Sequence, residues 1–205
     1  MTTTGILLAA GRGRRFDPSG ERNKLLEQVA GVPVAVASAT AILAVLPRVI
    51  AVVGPDDGGV AEALRAAGCD VVVCVNAGDG MGSSLAHAIR HSLPGAGAGA
   101  WLIALADMPH VAPSTIAALC AAIDAGAGIA APVLGGRRGN PVAFSALYLP
   151  ALLALEGDQG ARAIVRDNAW TAVQVDDAGI FHDIDTPSDL HKTVTLSVSG
   201  QAETP

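Results

Sequence analysis

The chain has 205 residues, which suits one domain with a substantial core. Hydrophobic residues make up 51% and charged residues 16%, which excludes a disordered chain. The net charge of −6 argues against a general nucleic-acid-binding surface, yet Arg12, Arg14, Arg15 and Arg22 crowd the first loop, where a small anion is expected.

Aromatic residues are only 3%, so Ala, Val, Leu and Gly must build the core, which favours close packing of helices on a sheet. Cys69, Cys74 and Cys120 are odd in number and fit neither a CxxC nor a zinc spacing. They read as small buried hydrophobes in a reducing compartment. The apolar start has no basic leader and runs straight into arginines, unlike a signal peptide. The longest apolar stretch, "VPVAVASATAILAVL", is 15 residues, too short to cross a bilayer. A soluble, cytoplasmic protein without membrane contact is expected.

In chain order, "GILLAA", "VIAVVG", "DVVVCV", "WLIALA" and "GIAAPV" read as short strands. Each is a nearly continuous apolar run, as strands covered on both faces are, so a mostly parallel sheet is favoured. Helical stretches fall between them: Pro33 to Val45, Gly58 to Ala67, Gly82 to His91 and Pro113 to Asp124, the first with its proline at a first-turn position and the last with Ser114 and Thr115 as candidate caps. Alternating strand and helix define an α/β domain of three layers. "PGAGAGA" (94–100) is a connection within that domain. Later, "LYLPALLAL" and "GARAIVRD" look helical, and "TAVQV" and "FHDI" look like strands. "DIDTPSDL" is expected to open a last helix, with Thr186 as cap, Pro187 first and Asp189 in the first turn. One domain over 1–192 is expected, followed by a polar tail over 193–205.

The opening loop, "GRGRRFDPSGERNK", fits no P-loop. It is not the dinucleotide fingerprint either, because Phe16 stands where the third glycine is required, and Gly54 rather than an acidic residue ends the second strand. What remains is a strand end, a glycine turn, and two cations. Glycines let backbone amides face an anion; Arg15 offers a planar fork and Lys24 a compact charge. The alternative is a solvated basic loop. Asp107 follows "WLIALA" at a strand's carboxyl end, where ligand crevices of open α/β sheets lie; it is either a metal ligand or a turn-capping aspartate before Pro109. Asp185 after "FHDI" is either a second ligand or a helix cap, and Asp183 is a weaker candidate one pleat earlier. Two carboxylates plus phosphates suit Mg²⁺. His87 and His91 share a helix face without a third ligand, and His110 and His182 lie near the two aspartates in sequence.

"LLAAGRGRRF…NKLL" resembles the LAAGxSxRxGxxK signature of the nucleotidyltransferases related to molybdenum cofactor biosynthesis. "NAGDGMGSSLAHAI" (76–89), "ALADMP" (104–109), "GRRGNPVAF" (136–144), "GDQGAR" (157–162) and "DIDTPSDL" (183–190) resemble further segments of that family in the same order, and the GMGSSL segment looks most like its cytidylyltransferases. The resemblance implies a Rossmann-like (GT-A-like) fold with a mostly parallel mixed sheet. It implies transfer of a nucleotide from an NTP, best CTP, to a phosphorylated acceptor of molybdopterin type, with pyrophosphate released and Mg²⁺ as cofactor.

The resemblance also assigns residues. Lys24, Arg15 and Asp107 become catalytic, and Asp107 and Asp185 hold the metal. Leu8, Ala9, Ala10, Gly11, Gly13, Arg15, Lys24, Gly80, Gly82 and Ser83 bind the nucleotide, with Ser84 beside them. Asn140, Arg138, Asp158 and Arg162 face the acceptor, and Arg137 lies next to them. A molybdoenzyme or its chaperone is an implied partner. GTP, or a sugar-phosphate or alcohol-phosphate acceptor, is the alternative within the class; a non-catalytic nucleotide-binding module is the alternative outside it. The interval from Arg15 to Lys24 is four residues longer than the family pattern, so part of "FDPSGERN" must bulge outward.

Overall fold

The computed structural model describes residues 2–11, 13, 15–93 and 99–191; Arg12, Arg14, most of the "PGAGAGA" connection and the tail after 191 lie outside the described residues. Its centre is a sheet of eight strands. Four of them, β1 (Thr3–Leu8), β4 (Val49–Val53), β5 (Asp70–Val73) and β6 (Ala100–Leu105), run parallel, with β1 between β4 and β6. Strand β9 (Val142–Ser145) runs antiparallel to both β6 and β7 (Ile129–Leu134), and β10 (Thr171–Gln174) closes that edge parallel to β7. The two-residue β8 (Arg137–Arg138) folds back on β7, and β2 (Gln28–Val29) and β3 (Val32–Pro33) form a separate small ribbon. The mixed, mostly parallel sheet expected from the sequence is present.

The continuous apolar runs have the expected cause. Alternate residues of β1 enter opposite cores: Leu7 packs with α1 (Val34–Leu43), α2 (Val60–Ala66) and α4 (Pro113–Asp124), while Ile6 packs with α3 (Met81–Ser92), α5 (Leu149–Leu153) and α6 (Arg162–Asp167). Both faces are covered, so both alternating positions from Gly5 to Leu8 are apolar; the buried Thr3 and Thr4 open the strand as polar exceptions. The three cysteines are free; Cys69 and Cys74 are buried and Cys120 half-buried. Among the described residues, no helix is long and apolar enough to cross a membrane.

Four local expectations change. Pro33 is the residue before α1 rather than its first, because it also pairs with Gln28 in the ribbon. Helix α4 has no cap from Ser114 or Thr115; the carboxylate of Asp177 comes from far along the chain and accepts from the Ala112 amide (2.8 Å) and the Thr115 hydroxyl (2.7 Å). "FHDI" is not a strand: Ala178–Phe181 form a 3-10 turn and 182–185 have no sheet partner among the described residues. The last helix is only a 3-10 turn, Pro187–His191. Its capping runs backwards, since Asp189 accepts from the Thr186 amide (2.7 Å), the Thr186 hydroxyl (2.8 Å) and the Asp185 amide (3.1 Å).

Candidate active site

The carboxyl ends of β1 and β6 meet at one crevice. Leu8 and Leu105 are register partners, so the loop after β1 and Asp107 emerge side by side. Ala9 is tied to β4 by its amide to Val52 O (2.9 Å), and Ala106 is tied to β1 by its amide to Leu8 O (3.0 Å). Beyond them Gly11 is exposed, with nothing within 4 Å of where a Cβ would stand. Gly13 has φ +57°, a left-handed turn that glycine adopts without penalty, and it turns the chain so that its missing side chain faces the Lys24 stem.

The enlarged stretch between Arg15 and Lys24 has a definite shape. Phe16, 4% exposed, turns inward and joins the core under β1. Asp17 then folds the outward bulge on itself, accepting from the amides of Ser19 (2.9 Å) and Arg22 (2.8 Å) and the hydroxyl of Ser19 (2.6 Å). Arg22 is not an anion ligand here: its guanidinium grips Glu27 with two bonds (3.0 and 2.8 Å) and lies over the Phe16 ring. Asn23 ends the bulge, accepting from the Leu25 amide (3.1 Å) and donating to Asp57 O (3.0 Å). The 3-10 turn Lys24–Leu26 follows, and it carries the Lys24 side chain inward.

There the ammonium of Lys24 donates to Asp107 Oδ2 (2.6 Å) and Asp185 Oδ1 (3.2 Å), while Arg15 pairs with Asp185 Oδ2 (2.7 Å). Two cations thus neutralise two carboxylates. They differ in burial: the Lys24 side chain is 10% exposed and that of Arg15 81%. The exposed ion pair adds little stability and leaves Arg15 free to swing to an incoming phosphate, whereas Lys24 lies mostly buried against both carboxylates. Asp107 Oδ1 is buried without a partner. An orphaned, charged oxygen beside a second carboxylate fits a divalent cation with oxygen ligands, so Asp107 and Asp185 are the residues suited to hold one.

Asp183 lies close enough to feel the pair: burial first, then Asp185 and Asp107, pushes its carboxyl above the usual carboxylate range. His110 and His182 also border the site, with His110 Nε2 and His182 Nδ1 buried and unpartnered. Burial, and then His182, lowers the His110 pKa below its ordinary 6.5.

The remaining expected residues divide. Gly80 and Gly82 do not offer open backbone to a ligand, for both are pressed against the loop before α6. A Cβ on Gly80 would stand 2.4 Å from Gly157 C, one on Gly82 would stand 2.7 Å from Glu156 O, and the Gly82 amide already donates to Gly157 O (2.7 Å). Ser83 is half-buried and lines a cavity of about 490 Å³ with Asn76, Asp79, His87, Arg90 and Glu156; Ser84 turns inward to Gly80 O. Asp158 lies against Gly80, and Arg162 is the exposed first residue of α6. The Asn140 amide donates to Ile180 O (3.0 Å), next to the segment that delivers Asp185. Arg137 and Arg138 are exposed and stack over Phe181 and Trp170, forming a basic hairpin beside the segment that carries Asp185. His91 pairs with Asp70 (3.2 Å), and among the described residues no group of three His, Cys, Asp or Glu could hold a metal.

This fold and this cluster define an α/β protein with a crevice at its strand ends where two cations meet two carboxylates. The chain belongs to the MobA-like NTP transferase domain family, whose model matches residues 5–174. That range includes Lys24 and Asp107 but stops short of Asp185. The chain is 36% identical over 135 residues to 2-C-methyl-D-erythritol 4-phosphate cytidylyltransferase of Cereibacter sphaeroides; the match covers 65% of this chain and 59% of that protein, so the chain spans under two thirds of the curated relative's length. Among solved structures it resembles Rv0371c of Mycobacterium tuberculosis (TM-score 0.73, 28% identity, 92% of this chain and 96% of that one), which is also known as a complex with manganese (TM-score 0.69, 28% identity, the same coverage). It is also similar to a nucleotidyl transferase of Methanothermobacter (TM-score 0.76, 25% identity, 92% of this chain and 94% of that one).

Proposed function

We propose that this protein is a metal-dependent nucleotidyltransferase that moves CMP from CTP to a phosphorylated small molecule of molybdopterin type. The observation that carries the reading is the meeting of Lys24, Arg15, Asp107 and Asp185 in one crevice beside the glycine turn. An anionic oxygen of the acceptor attacks the α-phosphorus; the new P–O bond forms as the bond to the bridging oxygen breaks, and pyrophosphate leaves. The acceptor phosphate is already ionised near neutral pH, so no general base is needed and alignment supplies much of the rate. Lys24 and Arg15 turn from the carboxylates to the triphosphate and neutralise charge that builds on the α-phosphate and the leaving group. The amides of Ala10, Gly11 and Gly13 are assigned to the phosphate path, and Ser83 to the nucleoside. Mg²⁺, held by Asp107 and Asp185, would act as a Lewis acid on the phosphate oxygens. Asn140, Arg138, Asp158 and Arg162 are assigned to the acceptor side.

CTP is favoured by the likeness to a cytidylyltransferase and by the GMGSSL segment. The same likeness supports a second reading, in which the acceptor is a sugar-alcohol phosphate and the nucleotide is unchanged. A molybdopterin acceptor would place the protein in the cytoplasm, next to a molybdoenzyme or its chaperone. The test is pyrophosphate release by purified protein with each NTP, Mg²⁺, and molybdopterin or 2-C-methyl-D-erythritol 4-phosphate. Release with CTP and one acceptor is expected. No release with any nucleotide, with nucleotide binding unchanged in Asp107→Ala, contradicts the reading.

A further inference from the structure

Two stretches distant in sequence lie alongside each other at the site. One is 107–115, leaving β6; the other is 177–185, a strap that brings Asp185 without belonging to the sheet. They are tied at both ends. The Ile184 amide donates to Asp107 O (2.8 Å). At the far end, the Asp177 carboxylate, 5% exposed, takes the Ala112 amide and the Thr115 hydroxyl on Oδ2 (2.8 and 2.7 Å) and the Gly179 amide on Oδ1 (2.9 Å). Between the ties, Gly179 is pressed onto His110: a Cβ there would stand 2.0 Å from the His110 carbonyl oxygen. The opposite side of the strap rests on β9's approach, where Asn140 donates to Ile180 O (3.0 Å).

Ile184 ties the strap to the β6 exit beside Asp107, and Asn140 supports its other side. Among the described residues, Asp177 is the side chain that bonds both stretches at once, at the far end from Asp185. We propose that Asp177 is a positioning residue: its carboxylate sets where the strap lies along the β6 exit and thereby the spacing of Asp107 and Asp185. This rests on the reading of those two aspartates as the metal-holding pair. Residues bonded directly to a metal ligand typically change affinity or activity about 10–100-fold when lost, so Asp177, which acts through the strap, is placed at the low end; a displacement of about 1 Å at reacting groups costs up to about 100-fold.

The experiment uses the full chain, with Mn²⁺ binding followed by electron paramagnetic resonance in the presence of a non-hydrolysable CTP analogue, and thermal melting recorded beside it. Asp177→Ala is expected to weaken Mn²⁺ binding about tenfold, with kcat falling and KM for CTP nearly unchanged. Thr115→Val removes one donor and leaves the carboxylate in place; it folds even if the first variant does not, and a loss of about twofold to threefold is expected. Asp177→Glu, which keeps the charge but lengthens the arm, should recover part of the loss. Variants that melt lower but bind Mn²⁺ as the wild type does overturn the proposal and leave Asp177 as a cap of α4. Wild-type protein that binds the analogue but no Mn²⁺ overturns this proposal and the metal reading together.

Discussion

Asp107 and Asp185 reach the same ammonium group by opposite routes. Asp107 follows a mostly buried strand, paired parallel to β1 and antiparallel to β9, and those ladders carry most of its placement. Asp185 sits on a strap with no strand pairing, held by side chains and single backbone bonds: Asp177, Ile184 to Asp107, and Asp189 behind it. A ladder spreads positional control over many weak bonds, whereas a strap concentrates it in a few. One carboxylate should therefore tolerate distant change, and the other should not.

The sharpest way to break this comparison is to remove the side chain that touches both carboxylates. Lys24→Met should lower pyrophosphate release about 10²–10³-fold. It should also raise the affinity for Mn²⁺ in the absence of nucleotide, since the ammonium no longer competes for Asp107 and Asp185. A fall in nucleotide-free Mn²⁺ affinity, read by the same resonance titration, would contradict the competition.

The regular side is probed by Phe16→Ala, which empties a core position beneath the loop. About 3–5 kcal/mol of stability should be lost in denaturant unfolding. A loss under about 1 kcal/mol would mean that the loop is not anchored there. His110 lies between the two routes. Its folded pKa is lowered, so the folded state binds fewer protons than the unfolded chain at mildly acid pH. Stability is full above pH 6.5 and declines as pH falls below it. Melting from pH 7.5 to 5.5 should show a small fall in Tm that His110→Gln flattens. Smallest of all, Arg22→Ala should barely shift Tm and leave Mn²⁺ binding unchanged, because its partners are Glu27 and Phe16 on the exposed bulge.

The same contrast explains what the sequence made legible. Periodicity and strand-end logic located β1, β4, β6 and Asp107 because local hydrophobic pattern and tertiary role agree there. "FHDI" misled because Ile184 packs a strap onto the core rather than a strand into a sheet, while Phe181 stays half-buried beneath Arg137. Asp177 gave little local signal: its short-range bond to the Gly179 amide is an ordinary turn contact, while its other bonds span 62 and 65 residues, and nothing in "VQVDDAG" marks which aspartate turns inward. Gly80 and Gly82, expected to bind the nucleotide, are pressed by the 156–158 loop, a contact from far along the chain that the local pattern does not show. Phe16 was noticed as a missing glycine; its burial as the anchor of an enlarged loop needed the packing around it.

The central claim is that Asp107 and Asp185, though delivered so differently, act as one metal-holding pair. It is tested most directly by titrating Mn²⁺ into wild type, Asp107→Ala and Asp185→Ala with a non-hydrolysable CTP analogue bound. The account predicts that each substitution weakens Mn²⁺ binding by about tenfold or more while the analogue still binds. Asp185→Ala protein that binds Mn²⁺ as tightly as wild type would contradict it.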